Sequence, residues 1–130
     1  MAGIHTARGC VISFLYAHEF GETDMEELKK DIFEHRRVKE KHIEFAEETF
    51  SGVLSNLEFI DSIIHEKLNG RNFDELGHVE TAILRLGVFE IKFQKTDKGI
   101  AINEALQLVR DFGVEPATKL INAILDSIAK

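Results

Sequence analysis

The amino-acid sequence predicts an all-α fold, a compact bundle of about seven helices in two packed subdomains. Three observations lead to this prediction. Apolar residues recur at helical spacing along most of the 130 residues, one proline interrupts helix chemistry, and the nine glycines fall singly between apolar-periodic stretches. Strands find almost no support, so the sequence indicates a series of helices with short connections.

The first two helices are predicted before residue 38. Residues from His5 to about Phe20 show an apolar repeat at helical spacing, and Gly21 is placed to end that helix. Thr23 and Glu26 form a T-x-x-E capping box, which predicts a second helix that stops around Arg37.

An apolar pattern then holds one phase from about Lys41 to Gly70, which is long for a single globular helix. A second capping box, Ser55 with Glu58, predicts a break within it. We therefore expect the third helix to end near Ser55, the fourth to begin there, and a turn-rich loop at Asn69–Asp74.

Three more helices are predicted in the last third of the chain. Residues from Glu75 to about Phe93 are apolar nearly all round, which is typical of a central helix packed on several sides. After a turn at Lys95–Gly99, a sixth helix is closed by Gly113, and Pro116 suits the first turn of a seventh.

We expect a single domain spanning residues 1–130, and the break near Ser55 predicts that it consists of two subdomains. Three helices would form an N-terminal subdomain of about residues 1–55, and four a C-terminal subdomain of about residues 56–130. A chain of this length is of ordinary single-domain size.

Composition limits the function classes. With 16 basic and 23 acidic residues the net charge is −7, which argues against coating nucleic acid by bulk electrostatics, although a local basic patch remains open. The ten acidic and six basic residues of Glu22–Phe50 are expected simply to face solvent. The single cysteine, Cys10, excludes an intramolecular disulfide, and no apolar run could span a bilayer, so we expect a cytoplasmic protein that does not enter a membrane.

No enzyme motif occurs in the sequence. It has no P-loop, no G-x-G-x-x-G, no G-x-S-x-G and no H-E-x-x-H, so neither a catalytic site nor a cofactor is expected. A helical di-iron site needs two Glu-x-x-His pairs, and this chain has one, Glu75 with His78, so no metal site is expected either. Cys10 is interpreted as a small core residue rather than a nucleophile.

Two pairs of polar residues leave alternatives open. Arg85 and Glu90 stand in an otherwise apolar helix, so each should form an intramolecular ion pair or face a partner protein. Asn103 and Asn122 stand beside apolar positions, and we expect buried amides that tie two helices together, with ligand contact as the alternative.

Four strings of residues stand out by their order and spacing along the chain. They are Ala7-Arg8 followed by Phe14-Leu15-Tyr16, then residues 76–87, 101–105 and 119–126. In this order and spacing they resemble the NusB family of bacterial transcription antitermination factors, and together they extend the resemblance over essentially the whole chain.

The resemblance implies an all-helical fold and a binding function rather than catalysis. Members of this family pair with the ribosomal protein NusE and hold the single-stranded boxA sequence of nascent ribosomal RNA. The complex joins NusA and NusG on RNA polymerase and suppresses premature termination. Single-stranded RNA suits a small site, since unpaired bases can be splayed onto side chains and read on their edges.

The resemblance also implies two groups of site residues. Those expected to bind RNA lie in the N-terminal motif, at one aromatic position and in the last string: His5, Thr6, Arg8, Tyr16, Lys119, Leu120 and Asn122. Those expected to face the protein partner lie in the second string: Glu80, Leu84 and Arg85.

The sequence departs from the family pattern in two places. Several arginines often precede the first helix in the family, where this chain keeps only Arg8, and the usual aromatic residue after the lysine of the seventh helix is Leu120. Both changes predict weaker RNA binding by the chain alone, which a basic partner would strengthen.

Two other function classes are kept as alternatives. The chain could be a helical interaction module or homodimer with weak or no RNA binding, as the missing arginines and the −7 charge suggest. NusB-like domains also precede the catalytic domains of certain RNA cytosine methyltransferases, but this sequence has no glycine-rich cofactor loop and no second cysteine, so an enzyme is the least favoured class.

Overall fold

The computed structural model describes residues 3–128, and within that range it contains seven α-helices, two short 3-10 turns and no strand. The all-α prediction and the helix number are confirmed. The helices, in chain order, are α1 (Ile4–Glu19), α2 (Met25–His35), α3 (Glu40–Ser55), α4 (Leu57–Lys67), α5 (His78–Lys92), α6 (Lys98–Asp111) and α7 (Thr118–Asp126).

The chain divides into two units, Met1–Gly52 and Val53–Lys130. The first contains α1, α2 and most of α3, and the second contains α4 to α7. The division falls inside α3, three residues before the break that the sequence predicts.

Aromatic packing joins the three helices of the first unit. The Phe14 ring of α1 meets Phe33 of α2 and Phe50 of α3 edge-on, with ring centroids 5.2 and 5.7 Å apart. An ion pair also connects α2 with α3: the Lys29 ammonium lies 3.3 Å from the Glu26 carboxylate on α2 and 3.0 Å from the Glu47 carboxylate on α3. Burial alone would lower the pKa of Lys29, but hydrogen bonds and attraction from these two carboxylates raise it.

In the second unit, α5 is the central helix, as predicted. All residues from 81 to 91 are buried, and α4, α6 and α7 each pack against this helix. Gly87 allows α7 to come close, because a Cβ atom added there would lie 2.9 Å from both terminal methyl carbons of Leu125.

Two predicted helix starts are wrong by a residue or two. The carboxylate of Asp24, not the hydroxyl of Thr23, accepts the N–H of Glu27 at 3.1 Å and caps α2, because Asp is the stronger N-cap residue of the two. The predicted start of α4 at Ser55 is also wrong, since the N-cap position is Asn56 and no side-chain cap hydrogen bond forms there.

Two later boundaries differ because 3-10 turns occupy them. Residues Phe73–Glu75 form a separate 3-10 turn and Leu76 is extended, so α5 begins at His78 rather than Glu75. Pro116 lies in a second turn, Glu115–Ala117, and therefore precedes α7 instead of opening it.

The glycines predicted to end the first and sixth helices do so. Gly21 and Gly113 have φ angles of 81° and 70°, the left-handed conformation that favours glycine after a helix. Within residues 3–128, no helix is long and apolar enough to cross a membrane.

Candidate nucleic-acid interface

The first two turns of α1 carry three of the predicted RNA-binding residues. His5 and Thr6 are half-buried, whereas Arg8 is only 8% exposed. The Arg8 guanidinium carbon lies 5.5 Å from the centroid of the Phe45 ring on α3, a distance that allows a cation–π interaction. Arg8 therefore joins α1 to α3, and little of its surface is left for a phosphate group.

The C-terminal end of α1 presents two exposed aromatic rings. Tyr16 is 44% exposed and Phe20 is 58% exposed, and their centroids are 4.8 Å apart with an angle of 45° between the ring planes. They border a shallow depression of about 410 Å³ that continues into the turn at residues 21–23. Such rings can stack on unpaired bases, which all have an apolar face.

Phe20 is absent from the sequence-predicted site. It lies four residues after Tyr16, so both rings are on one face of the helix. That spacing was the available signal, but an apolar residue at the end of an apolar repeat is more simply interpreted as core.

On α7, the predicted residues alternate in exposure. Lys119 and Asn122 are exposed and one turn apart, Leu120 is half-buried, and Ile121 between them is fully buried. The expectation that Asn122 is buried is therefore wrong, and so is the same expectation for Asn103 on α6, which is also exposed. Both amides stand on outer helix faces, where they are accessible to water or a ligand.

The predicted RNA-binding residues thus form two groups. His5, Thr6, Arg8 and Tyr16 belong to α1 in the first unit, and the Lys119–Asn122 group belongs to α7 in the second. That the two groups form one RNA-binding edge stays a prediction.

The predicted partner-facing residues differ sharply in exposure. Glu80 is half-buried in the first turn of α5, and its carboxylate folds back against Gly77 at the helix start. Leu84 has none of its surface exposed, so it packs in the core and does not face a partner in this conformation. Only Glu80 of the three is open to direct contact.

Arg85 forms the intramolecular ion pair that the sequence left as one of two alternatives. Its Nε and Nη2 atoms donate hydrogen bonds to the two carboxylate oxygens of Asp61 on α4, each at 2.9 Å. The side chains are 11% and 25% exposed, and this two-point geometry is the strongest that arginine makes with a carboxylate.

Aromatic rings cover the same ion pair. The Arg85 guanidinium carbon lies 6.0 Å from the Phe73 ring centroid, and the His65 ring stacks on Phe73 with centroids 4.4 Å apart. The 3-10 turn at Phe73–Glu75 therefore lies against α4 and α5 through this stack. Arg85 of α5 therefore connects this helix to α4 and to the 3-10 turn.

A second aromatic pair is exposed in the second unit. Phe59 of α4 and Phe93 after α5 are 51% and 41% exposed, and their rings meet edge-on with centroids 5.7 Å apart. A shallow depression lies beside Phe59 along residues 55–62. Neither ring is among the site residues that the sequence predicts.

The described residues hold no group of three His, Cys, Asp or Glu side chains that could bind a metal ion. Cys10 is fully buried among α1 core residues, as predicted. Burial raises the pKa of its thiol, and the charge of Arg36 lowers it by less, so the thiolate needed of a nucleophile is disfavoured.

Comparisons with known proteins give a consistent result over the whole chain. A model of the NusB family matches residues 5–130. Transcription antitermination protein NusB of a Nitratiruptor species is 40% identical over 130 residues, which is 100% of this chain and 94% of the relative. The protein of the same name from Campylobacter fetus subsp. fetus is 41% identical, covering 100% of this chain and 98% of the relative.

Solved structures of NusB proteins also resemble the fold of this chain. T. maritima NusB superimposes with a TM-score of 0.85 at 29% identity, covering 97% of this chain and 90% of that chain. A chain in the crystal structure of antitermination factors NusB and NusE in complex with dsRNA superimposes with a TM-score of 0.80 at 31% identity, covering 93% and 91%.

Proposed function

The chain belongs to the NusB family, and on that premise we propose that it is a transcription antitermination factor that binds single-stranded boxA RNA together with the ribosomal protein NusE. The observation that carries the proposal is the match to antitermination relatives along the entire chain. The related structure that contains NusB, NusE and dsRNA supports NusE and RNA as the two binding partners.

The side chains in the two groups of predicted RNA-binding residues suit unpaired RNA. The Tyr16 and Phe20 rings offer apolar faces for bases, and the Asn122 amide can donate and accept hydrogen bonds at a base edge. Lys119 supplies one exposed positive charge for a phosphate. His5 and Thr6 extend this set along α1.

The surface for NusE is proposed at the first turn of α5. Glu80 would contact the partner directly, since it is the most exposed of the three predicted residues. Leu84 and Arg85 would act from beneath, because the Arg85–Asp61 pair fixes α5 against α4. Substitution of Arg85 would then weaken partner binding through the loss of local structure.

The wider setting of the proposal is bacterial transcription. We place the protein in the cytoplasm, in the RNA polymerase complex that also holds NusA and NusG. The function is binding, without a catalytic step and without a cofactor.

A mobility-shift experiment with three protein mixtures tests this function. Labelled boxA RNA is incubated with this protein, with NusE, and with both. We expect a weak shift by this protein alone and a much stronger one by the pair, because the partner adds charge to an acidic chain. An unlabelled duplex of the same sequence should compete poorly. If the pair shifts the RNA no better than either protein alone, the proposal fails.

The exposed pair Phe59–Phe93 favours a second candidate, self-association of this protein. Exposed aromatic rings in contact are typical of protein interfaces. Light scattering across a concentration series, with and without boxA RNA, separates the two functions. A dimer that dissociates when RNA is added supports the RNA-binding function, whereas a dimer unaffected by RNA supports an interaction module.

A further inference from the structure

The RNA-binding residues proposed above supply few exposed positive charges. Arg8 is mostly covered by its contact with Phe45, which leaves Lys119 as the exposed cation of that set. The whole chain carries a net charge of −7. Since phosphate contacts give much of the affinity for a nucleic acid backbone, further exposed cations on this chain would add to the charge that the partner supplies.

The connection between α2 and α3, together with the first turn of α3, contains such cations. Arg36, Arg37, Lys39 and Lys41 lie within six residues, are all exposed, and are accompanied there by one acidic residue, Glu40. We call these four residues the α2–α3 cation cluster. Among residues 3–128, none of the four forms a salt bridge. The cluster is therefore a local positive patch on an acidic protein.

The cation cluster borders the start of α1 within the first unit. An added Cβ atom on Gly9 would lie 3.3 Å from Nη1 of Arg36, so this guanidinium group rests against α1 next to Arg8. Lys41 stands one turn before Phe45 on α3, the ring over which Arg8 lies. Arg36 thus lies against α1 one turn after His5, and Lys41 lies one turn from the ring that Arg8 contacts.

The backbone holds the arginines of the cluster in place. Val38 donates its N–H to the carbonyl of Phe33 at 3.1 Å, and Arg37 donates its own to the carbonyl of Glu34 at 3.2 Å. These bonds form the hydrogen-bond pattern that ends a helix with a left-handed residue. That residue is Arg37, with a φ of 56°, at a position where glycine is sterically favoured.

Helix electrostatics accounts for only half of the cluster. Arg36 and Arg37 follow the C-terminus of α2, where the helix dipole favours positive charge. Lys39 and Lys41 flank the N-terminus of α3, where the same effect disfavours it. The helix dipole therefore does not account for the two lysines, whereas an external anion would favour their charge.

We propose that the α2–α3 cation cluster binds backbone phosphates of the RNA that the neighbouring start of α1 holds. This inference rests on the proposed RNA-binding function and extends its site to four residues of the first unit. Contacts of this kind position the RNA strand and add affinity without reading its sequence.

The test compares three proteins, each in complex with NusE, in a titration of labelled boxA RNA over a range of salt concentrations. The first is the unaltered chain, and the second carries Arg36→Gln, Arg37→Gln, Lys39→Gln and Lys41→Gln. The third is a control with the same change of charge at four exposed cations outside the cluster: Lys30→Gln, Arg71→Gln, Lys95→Gln and Arg110→Gln. Thermal unfolding and NusE binding without RNA are measured for all three.

The proposal predicts a large and specific loss for the cluster variant. Each phosphate contact to a single strand contributes about 0.7 to the slope of log K against log salt, or about five-fold in affinity at 0.1 M salt. Loss of two or more contacts should lower the slope by at least about 1.4 and the affinity by about 25-fold, while the control changes little. Preference for boxA over scrambled RNA should be retained.

Three results would overturn the inference, and each differs from failure of the proposed function. The cluster variant could bind RNA with the slope of the unaltered chain, the control could lose as much affinity, or the cluster variant could fail to bind NusE, which would make the cluster a protein contact. If the four changes unfold the protein, the pair Lys39→Gln and Lys41→Gln alone should still lower the slope by about 0.7 or more. Failure of the function itself is instead recognised when the unaltered chain with NusE does not bind boxA.

Discussion

Separating Arg85 from Asp61 should destabilise the protein more than any single change at a surface ion pair. Arg85→Met keeps most of the side-chain volume but removes both 2.9 Å hydrogen bonds to Asp61. The carboxylate left behind is only 25% exposed, so water restores part of what it loses. Breaking a fully buried pair costs about 3 to 5 kcal/mol, and with this partial exposure we expect about 2 to 4 kcal/mol.

A double-mutant cycle measured by urea unfolding isolates the interaction. Asp61→Leu alone removes the carboxylate that accepts both hydrogen bonds from the buried guanidinium and should cost a similar amount. The double variant should cost less than the sum of the two by about 1.5 to 3 kcal/mol, because the same interaction is lost in each single variant. Glu26→Gln is the matched control, since Glu26 is 86% exposed and its pair with Lys29 should be worth less than about 1 kcal/mol.

The outcome decides between the two roles that the sequence left open for Arg85. If the two changes add to within about 0.5 kcal/mol, the ion pair has no stabilising role in solution and the reasoning from its geometry is wrong. If Arg85→Met leaves stability unchanged but abolishes NusE binding, Arg85 is a direct partner contact, contrary to its burial here.

Three further predictions concern other residues. Tyr16→Ala with Phe20→Ala should weaken boxA binding in the NusE complex by about 1 to 3 kcal/mol per stacked base, without a large change in unfolding temperature; unchanged RNA affinity would exclude base stacking there. Cys10 should react with a thiol reagent at pH 8 only after unfolding, and rapid labelling of the native protein would contradict this. Because the pKa of the Cys10 thiol is raised in the folded state, the free energy of unfolding should also fall as the pH rises above about 8.5. Gly87→Ala should destabilise by about 1 kcal/mol in urea, since crowding against Leu125 at 2.9 Å outweighs the helix propensity gained; stabilisation would show that Leu125 moves freely.

Helix number and order could be predicted because they depend on a repeated signal. Apolar spacing extends over many residues, so the sequence alone predicts that α5 is the central helix. Helix starts depend on single side chains, and there neighbouring candidates compete. Asp24 caps α2 although Thr23 completes the better-known motif, and a 3-10 turn displaces the start of α5 to His78.

The site was predictable only in part, because exposure depends on tertiary packing. The motif string that contains Arg85 and Leu84 could not tell a partner surface from a buried joint, and the structure shows both side chains buried. Phe20 belongs to an apolar repeat in sequence yet is 58% exposed. Burial of Asn122 was expected from its apolar neighbours, but its position on the outer face of α7 decides its exposure.

The net charge of a long segment conceals the local positive charge within it. The segment from Glu22 to Phe50 is acidic overall, and its ten acidic and six basic residues suggested an evenly solvated face. Four of those six cations nevertheless lie together from the end of α2 to the first turn of α3, and one of them, Arg36, lies against α1. Only the fold shows that this patch adjoins the start of α1.

The most direct test of the account is the ratio of affinities of the NusE complex for boxA RNA and for a scrambled RNA of equal length at one salt concentration. Fluorescence anisotropy with each labelled RNA gives both values. The account predicts at least tenfold tighter binding to boxA, a difference of about 1.4 kcal/mol. Equal affinities would mean that the complex senses only RNA charge, and the proposed function would be contradicted.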